Sequence, residues 1–364
     1  MVSFAAPGEL VSARIEREYS DYVEAVAVEV VEPSEDRIEP PCPLFGECGG
    51  CQLQHMNYPA QLRAKEDVVR EQLRRIGHLD DAVVRPIAGA ADPWGYRNHL
   101  RFSTGKMYGD VGFISRRGRG LLKVESCPIA DPWVNELLPK LQGHGAGLHQ
   151  VQVRHSAATG SYMVQPEMPA VGEPTGQRRY TEELGGHRFE VSAAAFFQVN
   201  AAQAEVLLRL AGEALGDARG TLVDAFAGVG TFAAIFADRF DHVIAIEESD
   251  SAAKDARENL AGFPNVEMHI GKVEHVLPEL DVRPDAVILD PPRPGCMPRV
   301  LDALIEFKPK AVVYVSCNPA TLARDLRILV DGGFTLDHVT PVDMFPQTGH
   351  IECVTRLSMP DGGE

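Results

Sequence analysis

Cys317 stands where a nucleophile would be useful. It lies in Ser316-Cys317-Asn318-Pro319-Ala320-Thr321-Leu322-Ala323-Arg324-Asp325, directly after the apolar run Ala311-Val312-Val313-Tyr314-Val315. The run reads as a buried strand, Asn-Pro as a turn, and the residues beyond as a helix. The thiol is therefore expected at the carboxyl tip of a strand in an open α/β sheet, the edge at which such sheets bind ligands. A thiolate there can attack an electrophilic carbon. The competing reading is an inert cysteine packed as a small hydrophobe.

Three carboxylates fall on the same expected edge. A first strand runs into Asp224-Ala225-Phe226-Ala227-Gly228-Val229-Gly230-Thr231. Glycines placed after a first strand let the backbone approach a ligand, and the next helix offers its N-terminus. The second strand ends at Glu247, where an acid can accept hydrogen bonds from ribose hydroxyls. NAD binding competes for this loop, but the third glycine of Gly-x-Gly-x-x-Gly is missing, with Ala233 or Ala234 the nearest small residue. The fourth strand ends in Asp290-Pro291-Pro292-Arg293-Pro294-Gly295. That stiff turn can hold Asp290 toward a planar base, or it is a Pro-rich loop with a capping Asp. Glu352, entering the last strand, becomes chemically interesting only if the sheet brings it to Cys317.

Cys42, Cys48 and Cys51 are spaced C-x5-C-x2-C, and with Cys127 they offer four thiolates to zinc or to an iron–sulfur cluster. Gly49 and Gly50 let the chain wrap tightly. The spacing alone favours zinc as the commoner structural ion. The chain has seven cysteines, an odd and unevenly spaced set that argues against a disulfide framework and for a reducing compartment.

These residues need a scaffold, and the apolar periodicity supplies one. Strands at 221–225, 242–246, 266–270, 285–290, 311–315, 334–342 and 351–357 alternate with helices at 230–239, 249–261, 272–280, 297–306 and 319–331, after a helix at 200–215. That is a doubly wound α/β domain ending in an antiparallel hairpin. Upstream, residues 94–165 read as short strands and turns. Pro59 opens a helix that Gly77 stops, with Leu62, Val69, Leu73 and Ile76 as its apolar stripe. Residues 8–31 form a β piece too short for a complete domain. Boundaries are placed at 1–38, 39–185 and 186–364, with helix 59–77 a candidate to pack on the last unit.

A length of 364 residues allows two or three domains. No apolar run approaches a membrane span, and residues 1–7 lack the features of a secretory leader. The net charge of −17 by itself argues against nucleic-acid binding. Between Trp94 and Lys123, however, Arg97, Arg101, Lys106, Arg116, Arg117, Arg119 and Lys123 meet a single acid, Asp110. Trp94, Tyr96, Phe102, Tyr108 and Phe113 lie among them. The mixture suits RNA, whose bases stack on aromatics while cations take phosphates. It also suits a solvated basic face.

Over nearly its whole length the chain resembles the RNA 5-methyluridine methyltransferases. Ser316-Cys317-Asn318-Pro319-Ala320-Thr321 looks like the family's nucleophile motif, and Asp290-Pro291-Pro292-Arg293 and Thr348-Gly349-His350-Ile351-Glu352 look like its other catalytic signatures. Phe197-Gln198-Val199-Asn200 looks like its cofactor-contact motif. The cysteine cluster with Gly49-Gly50 and Gln54-His55 is similar to the 4Fe–4S branch, which mostly acts on 23S rRNA. Thr231 stands where many members have Asn, and the N-terminal β piece matches only the back half of the family's OB-like TRAM domain.

The resemblance implies a class I methyltransferase sheet, a β-rich cluster and RNA-binding region, and a partial TRAM piece. It implies Cys317 as nucleophile and Glu352 as base, with Gln198, Phe226, Gly228, Glu247 and Asp290 contacting S-adenosylmethionine or the base. It implies a 4Fe–4S cluster on Cys42, Cys48, Cys51 and Cys127, which moves the metal expectation from zinc to iron. The expected partner is RNA, rRNA in preference to tRNA, with no membrane, for a cytoplasmic monomer. Two other classes remain: a dinucleotide-dependent Rossmann enzyme, separable by which cofactor it retains, and a non-catalytic RNA-binding metalloprotein, separable by a methyl-transfer assay.

Overall fold

The computed structural model describes residues 2–105, 108–118 and 120–360. The chain begins with a three-stranded sheet, β1 (Val2–Ser3), β2 (Leu10–Glu18) and β3 (Val23–Glu32), in the order β1-β3-β2. Helix α1 (Tyr58–Arg75) follows, with Pro59 in its first turn and the Asn57 side chain accepting the Ala60 N–H. An antiparallel sheet comes next, built from β4 (His99–Thr104), β5 (Val111–Ile114), β6 (Leu121–Lys123), β7 (Gln150–His155) and β8 (Tyr162–Gln165), ordered β6-β5-β4-β7-β8.

Between β6 and β7 lies helix α2 (Pro132–Leu141), where strands and turns were expected. Its signals are local: Asp131 caps it by accepting the Trp133 N–H, Pro132 opens it, and Val134, Leu137, Leu138 and Leu141 form a buried stripe at helical spacing. The hairpin β9 (Arg179–Leu184) and β10 (His187–Ser192) then leads into α3 (Ala201–Ala214).

The remaining elements alternate as expected: β11 (Thr221–Ala225), α4 (Thr231–Phe236), β12 (His242–Glu247), α5 (Asp250–Asn259), β13 (Val266–Ile270), α6 (Val273–Val276), β14 (Ala286–Leu289), α7 (Pro298–Phe307), β15 (Ala311–Ser316), α8 (Pro319–Asp331), β16 (Thr335–Val342) and β17 (Glu352–Ser358). They form a seven-stranded sheet in the order β13-β12-β11-β14-β15-β17-β16. The first five of these strands run parallel, and β17 inserts antiparallel to both β15 and β16. No described helix is long and apolar enough to cross a membrane.

Strands covered on both faces read as continuous apolar runs, and β14 and β15 are buried along their whole length. Successive side chains serve different cores. Val313 and Val315 pack with residues of α3, α4 and α5, while Val312 and Tyr314 pack with residues of α1, α7 and α8. Helix α1 thus belongs to the core of the large sheet, although the cysteine-bearing segment precedes it. Its end comes so close to α8 that a Cβ on Gly77 would stand 2.7 Å from the Leu73 carbonyl and 3.0 Å from that of Ala323. The expected apolar stripe is corrected in part: Val69 and Leu73 are buried, Leu62 only partly, and Ile76 is exposed. The rest of the buried face is Ala60, Gln61 and Lys65.

Candidate active site

After β11 the chain turns through left-handed residues, Phe226 (φ 71°), Gly228 (φ 56°) and Gly230 (φ 89°). A phenylalanine in that region is strained and persists only where its surroundings hold it. The turn aims amides at the tip of β12. Glu247 accepts the Gly228 N–H at Oε2 (2.8 Å) and the Ser249 N–H at Oε1 (2.7 Å). Beneath it, fully buried Asp224 accepts the Ala233 N–H at Oδ2 (2.9 Å), and its Oδ1 has no partner. Burial pushes the Asp224 carboxyl up to about 7; Asp290 and Glu247 reinforce this and the Ala233 amide opposes it.

The strand order reverses direction at β11 and β14, and the crevice of an open sheet lies at such a switch point. A cavity of about 610 Å³ opens there. Gln198, Phe226, Gly228, Glu247, Asp290, Cys317 and Glu352 all line it. The Gln198 Oε1 is buried without a partner, and beside Gly228 no protein atom lies within 4 Å of where a Cβ would stand. Both observations suit a bound small molecule with polar groups.

Cys317 and Glu352 meet through strand register. Ser316 of β15 pairs with Cys353 of β17, so one further step along the ladder sets Cys317 opposite Glu352. Burial pushes the Glu352 carboxyl up to about 8, with Asp290 adding and Arg293 opposing. The Cys317 thiol is pushed up to about 11 by burial and by Glu352 and Asp290, again against Arg293. Asp290 itself is raised to about 7 by burial. Three acidic groups thus share one poorly hydrated place, with Arg293 as the cation facing them.

The loops after β14 and β15 are laced together. The Arg293 carbonyl accepts from Asn318 Nδ2 (3.2 Å) and Thr321 Oγ1 (3.1 Å), and Pro294 O accepts from Arg324 Nη2 (2.9 Å). Buried Asp325 takes the Cys296 N–H (2.9 Å) and the Tyr314 hydroxyl (2.7 Å). Among the cavity residues that the sequence left without a part are Arg293 and His350, although each stands in a quoted motif. Phe196, 66% exposed, also lines the cavity; its signal was only a second aromatic beside Phe197.

The four cysteines also come together. Each of Cys42, Cys48 and Cys127 bears on the ionisation of Cys51, whose thiol burial pushes up to about 12. Burial likewise holds Cys127 at about 11. The Gly50 N–H donates to Cys48 Sγ (3.4 Å), and amides of Ile129 and Ala130 favour the Cys127 thiolate. Asn135, on the helix that was not expected, fixes Cys127 by accepting its N–H (2.8 Å) and donating to its carbonyl (3.1 Å). Among the described residues no three His, Cys, Asp or Glu side chains converge tightly enough to hold a single metal ion.

The basic run is less uniform than its composition suggests. Lys106 and Arg119 lie outside the described residues. Arg116 approaches Glu16 (3.4 Å) and lies over the Phe4 ring, and Lys123 pairs with Asp110 (3.0 Å). Phe102 is buried, and the Tyr96 hydroxyl donates to Pro346 O (3.0 Å). Arg101, Tyr108 and Arg117 are exposed. A cleft of about 770 Å³ opens between the N-terminal sheet and the turn after β5, lined by Arg14, Arg17, Arg116 and Arg117 together with Glu16 and Glu24.

Comparison with known proteins agrees with this arrangement. The family described as tRNA (Uracil-5-)-methyltransferase matches residues 279–359, the stretch that holds Asp290, Cys317 and Glu352. An uncharacterized RNA methyltransferase of Halalkalibacterium halodurans is 36% identical, over 98% of this chain and 91% of its own. One from Oceanobacillus iheyensis is 34% identical, over 97% and 90%. Among solved structures, the Pyrococcus abyssi tRNA (uracil-54, C5)-methyltransferase in complex with S-adenosyl-L-homocysteine superposes with a TM-score of 0.77 at 27% identity, covering 98% of this chain and 95% of that one.

Proposed function

The chain belongs to the RNA uracil-5-methyltransferase family, and from that membership we propose that it methylates C5 of a uridine with Cys317 as nucleophile and Glu352 as base. The observation that carries the assignment is the β15–β17 register, which opposes a thiol and a buried carboxyl in the cavity that also receives the glycine turn.

S-adenosylmethionine supplies an electrophilic methyl group on a sulfonium. Gln198, Phe226, Gly228 and Glu247 hold it, with Glu247 oriented by the two amides it accepts. Uracil C5 is a poor nucleophile until the Cys317 sulfur bonds to C6 and pushes electron density onto C5. C5 would then take the methyl group as its bond to the sulfonium breaks and S-adenosylhomocysteine leaves, Glu352 would remove the C5 proton, and the C6–S bond would break to return the thiolate. Asp290 faces the planar base. The uridine must leave its stack to present C6, and the exposed members of the basic and aromatic run supply the docking face.

Cys42, Cys48, Cys51 and Cys127 are assigned to a 4Fe–4S cluster. What supports this is an all-sulfur donor set drawn from two distant segments, with amides directed at the sulfurs. The cluster contributes folding energy, since no step of the reaction transfers an electron. The assigned target is 23S rRNA, because the cysteine segment resembles that branch. A tRNA target is the second reading, favoured by the substrate of the Pyrococcus relative. A cytoplasmic location goes with an RNA substrate.

Cys317→Ala should abolish methyl transfer while retaining S-adenosylmethionine, and the wild type should form a covalent adduct with RNA containing 5-fluorouridine. Substantial turnover by the variant would end the assignment. Protein purified without oxygen should carry about four iron atoms per chain; stoichiometric zinc would refute the cluster. Mapping 5-methyluridine in rRNA and tRNA from cells lacking the gene decides the target.

A further inference from the structure

The loop that delivers His350 and Glu352 to the cavity is built around one residue tied through both its main chain and its side chain. Gln347 is 2% exposed and holds a left-handed backbone (φ 69°), a conformation that a glutamine adopts only when its surroundings enforce it. The enforcing groups come from the opposite end of the chain. The N–H groups of Gln52 and Leu53 both donate to the Gln347 carbonyl (3.0 Å each). The Gln61 side chain on α1 accepts the Gln347 N–H (3.1 Å) and donates to Gln347 Oε1 (2.9 Å). Gln61 is itself 1% exposed and anchored by donating to Met56 O (3.0 Å).

The neighbours of Gln347 are held from the same side. Gly349 N–H donates to Gln52 Oε1 (3.2 Å), Lys65 Nζ donates to Phe345 O (3.0 Å), and the Tyr96 hydroxyl donates to Pro346 O. Lys65 also pairs with Asp343 (2.5 Å), both side chains being buried. Gln52 follows Cys51 directly in sequence. The polar face of α1 and the end of the cysteine segment therefore grip the loop at several successive residues just before Glu352.

We propose that Gln347 is a positioning residue through which Gln61 and the Gln52–Leu53 backbone set the placement of Glu352. The proposal rests on the assignment of Glu352 as the base. Gln347 touches no reacting atom. It fixes the turn from which β17 starts, and a base displaced by about 1 Å can cost on the order of 100-fold in rate. Because the base acts only after the methyl group has been transferred, a misplaced Glu352 should leave the Cys317 and methyl-transfer steps in place and slow the last one. The enzyme would then accumulate as a methylated covalent adduct with RNA.

The test uses the full chain, methyl-tritiated S-adenosylmethionine and total RNA from cells lacking the gene. Gln61→Leu, which removes both side-chain bonds to Gln347, should lower kcat about 10- to 100-fold. The KM for S-adenosylmethionine should stay within about two-fold, and tritium should migrate with denatured protein. Gln52→Ala, whose side chain is exposed and which keeps its backbone bond, should show the same label at a smaller loss of kcat. Turnover at the wild-type rate without labelled protein would overturn the proposal. So would a parallel loss of S-adenosylmethionine binding and adduct in both variants, which is what a merely structural role predicts. Failure of the underlying assignment looks different, since the wild type would then make no 5-methyluridine at all.

Discussion

The large sheet and the N-terminal sheet are built from similar residues and end in opposite conditions. Every residue of β15 is buried, whereas β2 has eight exposed positions and one partly buried. Val2, Leu10, Ile15, Tyr19, Tyr22, Val23, Val28 and Val31 are all large side chains left open to solvent in the first three strands and the turn between β2 and β3. What ties this sheet down is polar. The Arg37 guanidinium bonds Glu9 and the Phe4 carbonyl, holding the Glu9 carboxyl at about 2. A sheet covered on both faces draws its stability from burial, and its strand ends become fixed points on which chemistry can be placed. A largely exposed sheet contributes surface instead, and here that surface flanks the basic cleft.

The contrast can be broken from the catalytic side first. Glu352→Gln should leave the fold intact, lose most turnover and accumulate a denaturation-stable adduct with unmodified RNA, read on a denaturing gel. A variant that turns over normally would move the base elsewhere. Next in size, Leu289→Ala in β14 should cost about 2–5 kcal/mol in denaturant unfolding, because a closed core cannot refill the cavity. Val28→Ser in β3, at 55% exposure, should stay within about 0.5 kcal/mol. A large loss from Val28→Ser would mean that the N-terminal sheet is covered in solution.

A further effect expected is one of pH. Native Asp224, Asp290 and Glu352 stand at about 7, about 7 and about 8, against 3.8, 3.8 and 4.5 as ordinary values. The folded state therefore keeps protons that the unfolded chain has released. The stability they contribute is full below the ordinary carboxyl range and is lost as pH rises through about 7 to 8. The melting temperature should fall between about pH 5.5 and about pH 8.5, and Asp224→Asn should flatten that fall. With Glu352 proposed to act as its carboxylate, the rate should climb over the same interval as stability declines.

Much of the catalytic sheet could be read from the chain because parallel strands and their helices announce themselves locally. The runs before Asp290 and Cys317 are apolar throughout, and each following turn carries Pro or Gly. The seven line-of-cavity residues expected from sequence do share one cavity. The gaps have a common cause. Gln61 and Lys65 interrupt an apolar stripe and find their partners at Gln347 and Asp343, nearly 300 residues away, so no local period could place them. The partner of Arg116 was hidden in the same way, because Glu16 lies 100 residues earlier. Helix α2 is the exception: its cap, its proline and its stripe were all local, and the strand-like surroundings masked them.

The place of β17 in the sheet has a consequence for how the protein is made. This strand is the last of those described to leave the ribosome, yet it inserts between β15 and β16, which precede it. Until it inserts, Cys317 is present without Glu352, and the strand pairing that opposes them does not exist. A nascent or prematurely ended chain would carry Cys317 on a half-formed sheet edge with no means of completing a cycle. Catalytic competence therefore arrives in a single step, when β17 inserts, and the same insertion that completes the site closes the sheet's exposed interior edge.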